Sequence, residues 1–98
     1  MMIYHIVCFR FKSGTAAERI AAAGKALQDM QGKIPGIRGV LWGPNFAPSA
    51  AEYSHVLTVI LDDMNCVARY LEHPVHQQTI AQHLAPIREA RLAIDVEI

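Results

Sequence analysis

Apolar and polar residues alternate in four segments of the chain, which is the pattern of half-buried or buried β-strands. The segments cover residues 3–12, 37–45, 53–62 and 89–97. They are rich in β-branched and aromatic residues, and Gly, Pro, Asn or Asp residues flank most of them. The pattern therefore predicts four strands.

Helical periodicity fills the intervals after the first and third strands. Thr15 and Glu18 have the spacing of a capping box, so a first helix is predicted to begin there and to end at Gly32. An aspartate at 62 or 63 can cap a second helix over 64–72. His73-Pro74 should end that helix, and a further helical stretch is predicted over 75–84.

The resulting order is β-α-β-β-α-β, which predicts a ferredoxin-like α+β fold with an antiparallel sheet and both helices on one face. The expected strand order is 4-1-3-2, and residues 1–98 are expected to form a single domain. The first strand is apolar on both faces. The face of His5 should meet the helices, and the face of Tyr4, Ile6 and Cys8 should pack on a second subunit, giving a homodimer.

Composition and charge narrow the function. The chain has 98 residues, 52% of them hydrophobic, and a formal net charge of zero. This balance gives no support to binding of nucleic acid or of anionic membranes. No segment resembles a membrane span or a signal peptide, and Cys8 and Cys66 form no metal or redox motif. The sequence thus favours a cytoplasmic protein with reduced thiols.

Several polar side chains are predicted to meet at one end of the sheet. If the first and third strands run parallel, His5 and His55 lie at the same end, to which the last strand and the second helix also return. The expected cluster is His5, His55, Tyr70, His73, His76 and Asp95. Histidine can act as base and acid near neutral pH, and a tyrosine hydroxyl can stabilise an enolate. The set suits proton abstraction beside a carbonyl group.

Structural roles compete with these chemical ones. A strand histidine can be a satisfied core residue, His73 can cap a helix, and Trp42 can be an apolar plug or a dimer contact. His73 and His76 have the spacing of one helix face, but Pro74 interrupts it and no acidic ligand is evident. We expect neither a metal nor a cofactor.

The chain resembles the stress-responsive A/B barrel (Dabb) family along its full length. The resemblance is carried by five stretches: His5-Ile6-Val7-Cys8-Phe9-Arg10-Phe11-Lys12, Ile34-Pro35-Gly36-Ile37, Tyr53-Ser54-His55, Tyr70-Leu71-Glu72-His73-Pro74-Val75-His76, and Asp95. It implies a dimeric ferredoxin-like α+β barrel. The family includes a plant polyketide cyclase that closes an aromatic ring by aldol condensation without a cofactor.

By that resemblance, His5 and His76 match the catalytic histidines of the cyclase, and Tyr70 matches its assisting tyrosine. Gly24 and Leu27 stand where the cyclase has pocket-lining aromatic residues. The substrate of the cyclase therefore does not transfer to this chain. Three readings stay open: a cofactor-free cyclase, lyase or isomerase acting on a small carbonyl or polyketide-like compound, a non-catalytic ligand-binding or stress-associated dimer, and a purely structural dimer.

Overall fold

The computed structural model describes all residues, 1–98. Its main elements, in chain order, are β1 (Ile3–Phe11), α1 (Ala17–Gln28), β2 (Ile37–Pro44), β3 (His55–Leu61), α2 (Met64–Glu72), α3 (Pro74–Thr79) and β4 (Arg88–Glu97). A 3-10 turn at Pro48–Ala50 precedes β3, and a π-helical turn at Ile80–Leu84 follows α3. The predicted ferredoxin-like α+β fold is confirmed.

The sheet has the order β2-β3-β1-β4, and every adjacent pair is antiparallel. The prediction that β1 and β3 run parallel is wrong. The crossover through α1 makes β1 and β2 parallel, and β3 reverses the direction of β2 before it enters between them. His55 is consequently the partner of Phe9, at the opposite end of the sheet from His5.

The ends of α1 also differ from the prediction. The Thr15 hydroxyl donates to the Lys12 carbonyl at 2.6 Å, so it does not cap the helix. The N-cap is Ala16, which makes no side-chain capping bond. At the other end, α1 stops at Gln28, and Gly32 lies in the following turn with φ +87°, a conformation that glycine adopts without steric cost.

The core lies between the helices and one face of the sheet. Ile3, His5, Val7 and Phe9 of β1 all point into it and are buried, as the alternation predicted. The other strands, the helices and the turns next to α1 and β4 also contribute residues that are almost fully buried. The largest of these are Leu27, Met30, Leu57, Leu61, Tyr70, Leu84 and Ile87.

The other sheet face carries no helix. Cross-strand register places Leu41, Thr58, Ile6 and Ile94 in one row across that face. The apolar side chains at its margins are exposed: Leu41 at 60%, Ile94 at 49% and Val96 at 38%. The sheet therefore presents a largely apolar surface, which we call the bare face.

None of the helices is both long and apolar enough to cross a membrane.

Candidate active site

Helix α2 fixes the position of Tyr70. The Asp63 side chain accepts a hydrogen bond from the Cys66 amide at 2.8 Å and so caps the helix, as predicted. Cys66, Val67 and Tyr70 form the buried stripe of α2. The Tyr70 side chain thus enters the core, where the residue is only 1% exposed.

The junction between α2 and α3 positions His76. His73 is extended, with φ −65° and ψ 135°, as expected for a residue before proline. Its Nδ1 accepts from the Val75 amide at 3.1 Å, so His73 caps α3 while Pro74 occupies the first turn. The chain reverses enough for His76 Nδ1 to reach the Leu71 carbonyl, 3.2 Å away, at the C-terminal end of α2.

His5 is anchored by the neighbouring strand. It pairs with Asp95 across β1 and β4, and its Nδ1 lies 2.6 Å from Asp95 Oδ1. A carboxylate only accepts, so Nδ1 of His5 carries the proton. The same reasoning applies to His76, because the Leu71 carbonyl also only accepts. In the neutral form, both rings therefore keep a basic Nε2.

Tyr70 lies between the two histidines. Its ring centroid is 5.7 Å from that of His5, in an edge-to-face arrangement, and 4.4 Å from that of His76. The three side chains line a cavity of about 170 Å³. Its remaining lining residues come from the sheet and from the segments after Tyr70: Val7, Phe9, Leu57, Leu71, Ile80, Arg88 and Arg91.

Burial adjusts the proton affinities in this cavity. It lowers the pKa of His76, and nearby positive charge from His5 and Arg91 adds to the effect, although the bond to Leu71 opposes it. Burial also raises the pKa of the Tyr70 hydroxyl well above its ordinary value. At neutral pH, His76 is thus available as a base while Tyr70 stays protonated as a hydrogen-bond donor.

Arg88 and Arg91 are cavity residues that the sequence reading missed. Arg91 precedes Asp95 by four residues on β4, so the two side chains lie on the same face of the sheet. Strand alternation alone could therefore have identified Arg91. Arg88 could not be found in that way. It lies three positions from Arg91, and regular alternation would place the two on opposite faces.

His55 and Trp42 lie at the other end of the sheet. Their rings stack at 5.3 Å, beside Phe11, and neither lines the cavity. They instead border an open groove of about 420 Å³ between α1 and β2. Burial lowers the pKa of His55. The prediction that His55 lies at the same end of the sheet as His5 is wrong, because it assumed that β1 and β3 run parallel.

The other predicted site residues have structural positions. His73 faces away from the cavity, near Ile34, Pro35 and Arg69. Leu27 is fully buried in the core. Gly24 lies directly under the indole of Trp42, so the space that a helix side chain would fill is occupied by a strand residue. The convergence that the structure does show is therefore His5, Asp95, Tyr70 and His76.

No group of three or more His, Cys, Asp or Glu side chains is arranged to hold a metal ion. Asp95 is engaged by His5, and no acidic residue lines the cavity. What the arrangement offers is two imidazoles, a phenol and two guanidinium groups. It can exchange protons with a bound molecule and donate hydrogen bonds to its oxygen atoms.

These features agree with one known family. Residues 3–98 match the family described as the stress responsive A/B barrel domain, Dabb. The chain belongs to this family. An uncharacterized Streptomyces coelicolor protein, SCO4036, is 30% identical to this Dabb chain over 82 residues, and the match covers 82% of this chain and 84% of the relative.

Solved structures share the fold. A dimeric ferredoxin-like protein of unknown function from Jannaschia sp. CCS1 superposes with a TM-score of 0.84 at 26% identity, and each chain is covered completely. A hydroxynitrile lyase from Passiflora edulis gives a TM-score of 0.85 at 19% identity, with 99% of this chain and 93% of the lyase covered. At that identity, the likeness to the lyase concerns the fold alone.

Proposed function

We propose that this Dabb protein is a homodimer that catalyses cofactor-free proton transfer on a small carbonyl compound. One observation carries the proposal: the phenol of Tyr70 lies between two imidazoles whose Nδ1 atoms are both engaged, at 2.6 Å by Asp95 and at 3.2 Å by Leu71. Each ring can then present Nε2 to the same small cavity. Fixing the tautomer of a histidine by its second nitrogen is the usual way to prepare a general base.

His76 is the base in this proposal. Its Nε2 removes a proton from the carbon next to the carbonyl group, and the electron pair of that C–H bond moves into the carbonyl to give an enolate. Tyr70 donates a hydrogen bond to the enolate oxygen, and the low dielectric of the buried site strengthens that bond. The imidazolium of His76 returns this proton to another carbon of a conjugated enolate, directly or through the basic Nε2 of His5, which completes an isomerisation. Alternatively, the enolate carbon attacks a second carbonyl of the same molecule, and the resulting alkoxide takes the proton from His76, which completes an aldol-type cyclisation.

The small size of the cavity bears on the substrate. Pockets for drug-sized ligands usually enclose about 300–1,000 Å³. A volume of about 170 Å³ suits a compound of only a few carbon atoms, or one end of a longer molecule. The same fold occurs in a hydroxynitrile lyase, so this architecture can hold an enzyme active site.

The dimer is proposed from the bare face. Its exposed Leu41, Leu92, Ile94 and Val96 form an apolar patch, and patches of that kind on a protein surface mark interaction sites. Dimeric relatives of the same fold support a second copy of this chain as the partner. In this arrangement Tyr4, Ile6 and Cys8 occupy the centre of the interface.

Deuterium exchange tests the chemistry without knowledge of the natural substrate. Butanone and 2-oxobutanoate would be incubated with the protein in D₂O, and loss of the C–H signals next to the carbonyl would be followed by proton NMR. We expect His76→Gln and Tyr70→Phe to slow exchange by about 10²–10⁴-fold, the usual contribution of acid–base groups. His55→Gln is the matched control and should exchange at the wild-type rate.

The competing function is non-catalytic binding of a small molecule in the same cavity. It predicts that probe compounds bind while exchange stays at the rate of the buffer. Exchange that is enhanced but equal in wild type, His76→Gln and Tyr70→Phe would show that another group does the chemistry, and the proposal would be wrong.

A further inference from the structure

The register of β4 brings two arginines onto the cavity side of the sheet. Arg91 pairs with Phe9 and Arg88 pairs with Phe11, and Phe9 and Phe11 share one face of β1. The register between β1 and β4 shifts by one residue at this point, because Glu89 is an extra residue on β4. A β-bulge of this kind redirects the side chains beside it. Without it, residues three apart would face opposite sides of the sheet.

The extra residue itself points elsewhere. Glu89 Oε2 lies 2.8 Å from Nε of Arg10, and both side chains are about half exposed. The bulge thus separates the acidic side chain from the two basic ones. The Glu89 carboxylate pairs with Arg10, and Arg88 and Arg91 lie on the cavity side of the sheet. The other ion pairs of the fold join Lys25 to Asp29, Arg38 to Asp62 and His5 to Asp95.

The cavity is left with unbalanced positive charge. Arg88 and Arg91 line it without an ion-pair partner, and no Asp or Glu lines it. Burial and the proximity of Arg91 lower the pKa of Arg88. The charge of Arg91 also contributes to lowering the pKa of His76, and it opposes the rise in the pKa of Tyr70 that burial causes. Arg88 is half-buried and Arg91 is exposed. Two guanidinium groups beside the same cavity repel one another, and an anion between them would reduce that repulsion.

We propose that Arg88 and Arg91 form an anion subsite that binds the carboxylate of a small organic acid in the cavity of His5, Tyr70 and His76. A guanidinium group matches a carboxylate with two parallel hydrogen bonds, which are shorter and stronger than bonds between neutral groups. The inference rests on the proposed function in that it places the ligand in the same cavity, and it narrows the substrate to a carboxylate-bearing carbonyl compound. The carboxylate would lie at the β4 side, with the rest of the molecule extending toward Tyr70.

Binding of matched unreactive probes tests this subsite separately from catalysis. Benzoate against benzamide, and butanoate against butanamide, would be titrated into the wild-type dimer by calorimetry. Members of each pair have nearly the same size but differ in charge. We expect the carboxylates to bind more tightly than the amides, and Arg91→Gln and Arg88→Gln to weaken carboxylate binding by about 10- to 100-fold each, the size expected for a hydrogen bond to a charged group.

Two further variants sharpen the test. Arg91→Lys keeps the charge but loses the two-pronged geometry, so it should bind carboxylate with an affinity between those of wild type and Arg91→Gln. Arg19 is exposed on α1 and remote from the cavity, so Arg19→Gln should bind like wild type. It removes the same net charge as Arg91→Gln and so controls for long-range electrostatics.

Three outcomes would contradict the proposed subsite. The carboxylates could bind no more tightly than the amides, or they could bind Arg88→Gln and Arg91→Gln as tightly as wild type. Inorganic phosphate could also bind in preference to both carboxylates. Failure of the proposed function looks different. In that case no probe ketone exchanges its protons, yet the carboxylates still bind and still depend on Arg88 and Arg91.

Discussion

Replacing Gly24 with alanine would place a methyl group against the indole ring of Trp42. A Cβ atom at position 24 would overlap Nε1 and Cδ1 of the ring and would lie 2.9 Å from Cε2. The indole stacks on His55 at 5.3 Å and packs on Phe9 at 5.7 Å between ring centroids, so a shift of the ring would disturb both contacts. Overpacking of this kind costs about 1–3 kcal/mol.

The same substitution has a favourable local effect. Alanine stabilises a helix interior by about 1 kcal/mol relative to glycine, and Gly24 is in the middle of α1. The net change in the free energy of unfolding of Gly24→Ala should therefore be a loss of about 0–2 kcal/mol. In a Trp42→Leu background, where the indole is absent, the same substitution should instead gain about 1 kcal/mol.

Urea denaturation at one fixed protein concentration measures both effects. The difference between the two backgrounds isolates the Gly24–Trp42 contact and should amount to about 1–3 kcal/mol. Ala22→Gly, at an exposed position of α1, calibrates the helix contribution. If Gly24→Ala changes stability equally in both backgrounds, then the indole does not lie over α1 and this part of the structure is wrong.

Three further outcomes follow from the site and the bare face. Asp95→Asn should slow proton exchange of the probe ketones, because the amide no longer holds Nδ1 of His5 as an obligatory donor, and equal rates would contradict that role. The midpoint of the acid limb of the pH–rate profile for exchange should lie below the ordinary histidine pKa of about 6.5, because burial lowers the pKa of His76 and keeps this base neutral to lower pH. A midpoint above that value would contradict the assignment of His76 as the base. Ile94→Asp should dissociate the dimer in sedimentation analysis while Met64→Asp, exposed on α2, should not, and a dimeric Ile94→Asp would exclude the bare face as the interface.

Local patterns were enough to predict much of the fold. The period of two in β1 assigned His5 to the helix side, and Asp63 and His73-Pro74 marked the boundaries of α2. The antiparallel return of β4 placed Asp95 at the same end of the sheet as His5, where the two residues are partners. These features depend on nearest neighbours in the chain or on one strand pairing, so the sequence contains the information.

The missed features depend on tertiary structure. His55 was assigned to the wrong end because one strand direction was misjudged, which exchanges the two ends of a strand. Arg88 was invisible because its face is set by a bulge opposite β1, and nothing in the alternation of β4 marks an extra residue. The place of Trp42 over Gly24 likewise follows from how closely α1 approaches the sheet, which only packing decides.

A long-range ¹H–¹⁵N correlation spectrum of the imidazole rings at about pH 7.5 reports directly which nitrogen of each histidine carries a proton. We expect His5 and His76 both to carry a proton on Nδ1, and we expect added benzoate to shift the Nε2 resonances of both rings. His55, in its separate groove, should not respond. An unprotonated Nδ1 on either cavity histidine, or a response to benzoate confined to His55, would contradict the proposed active site.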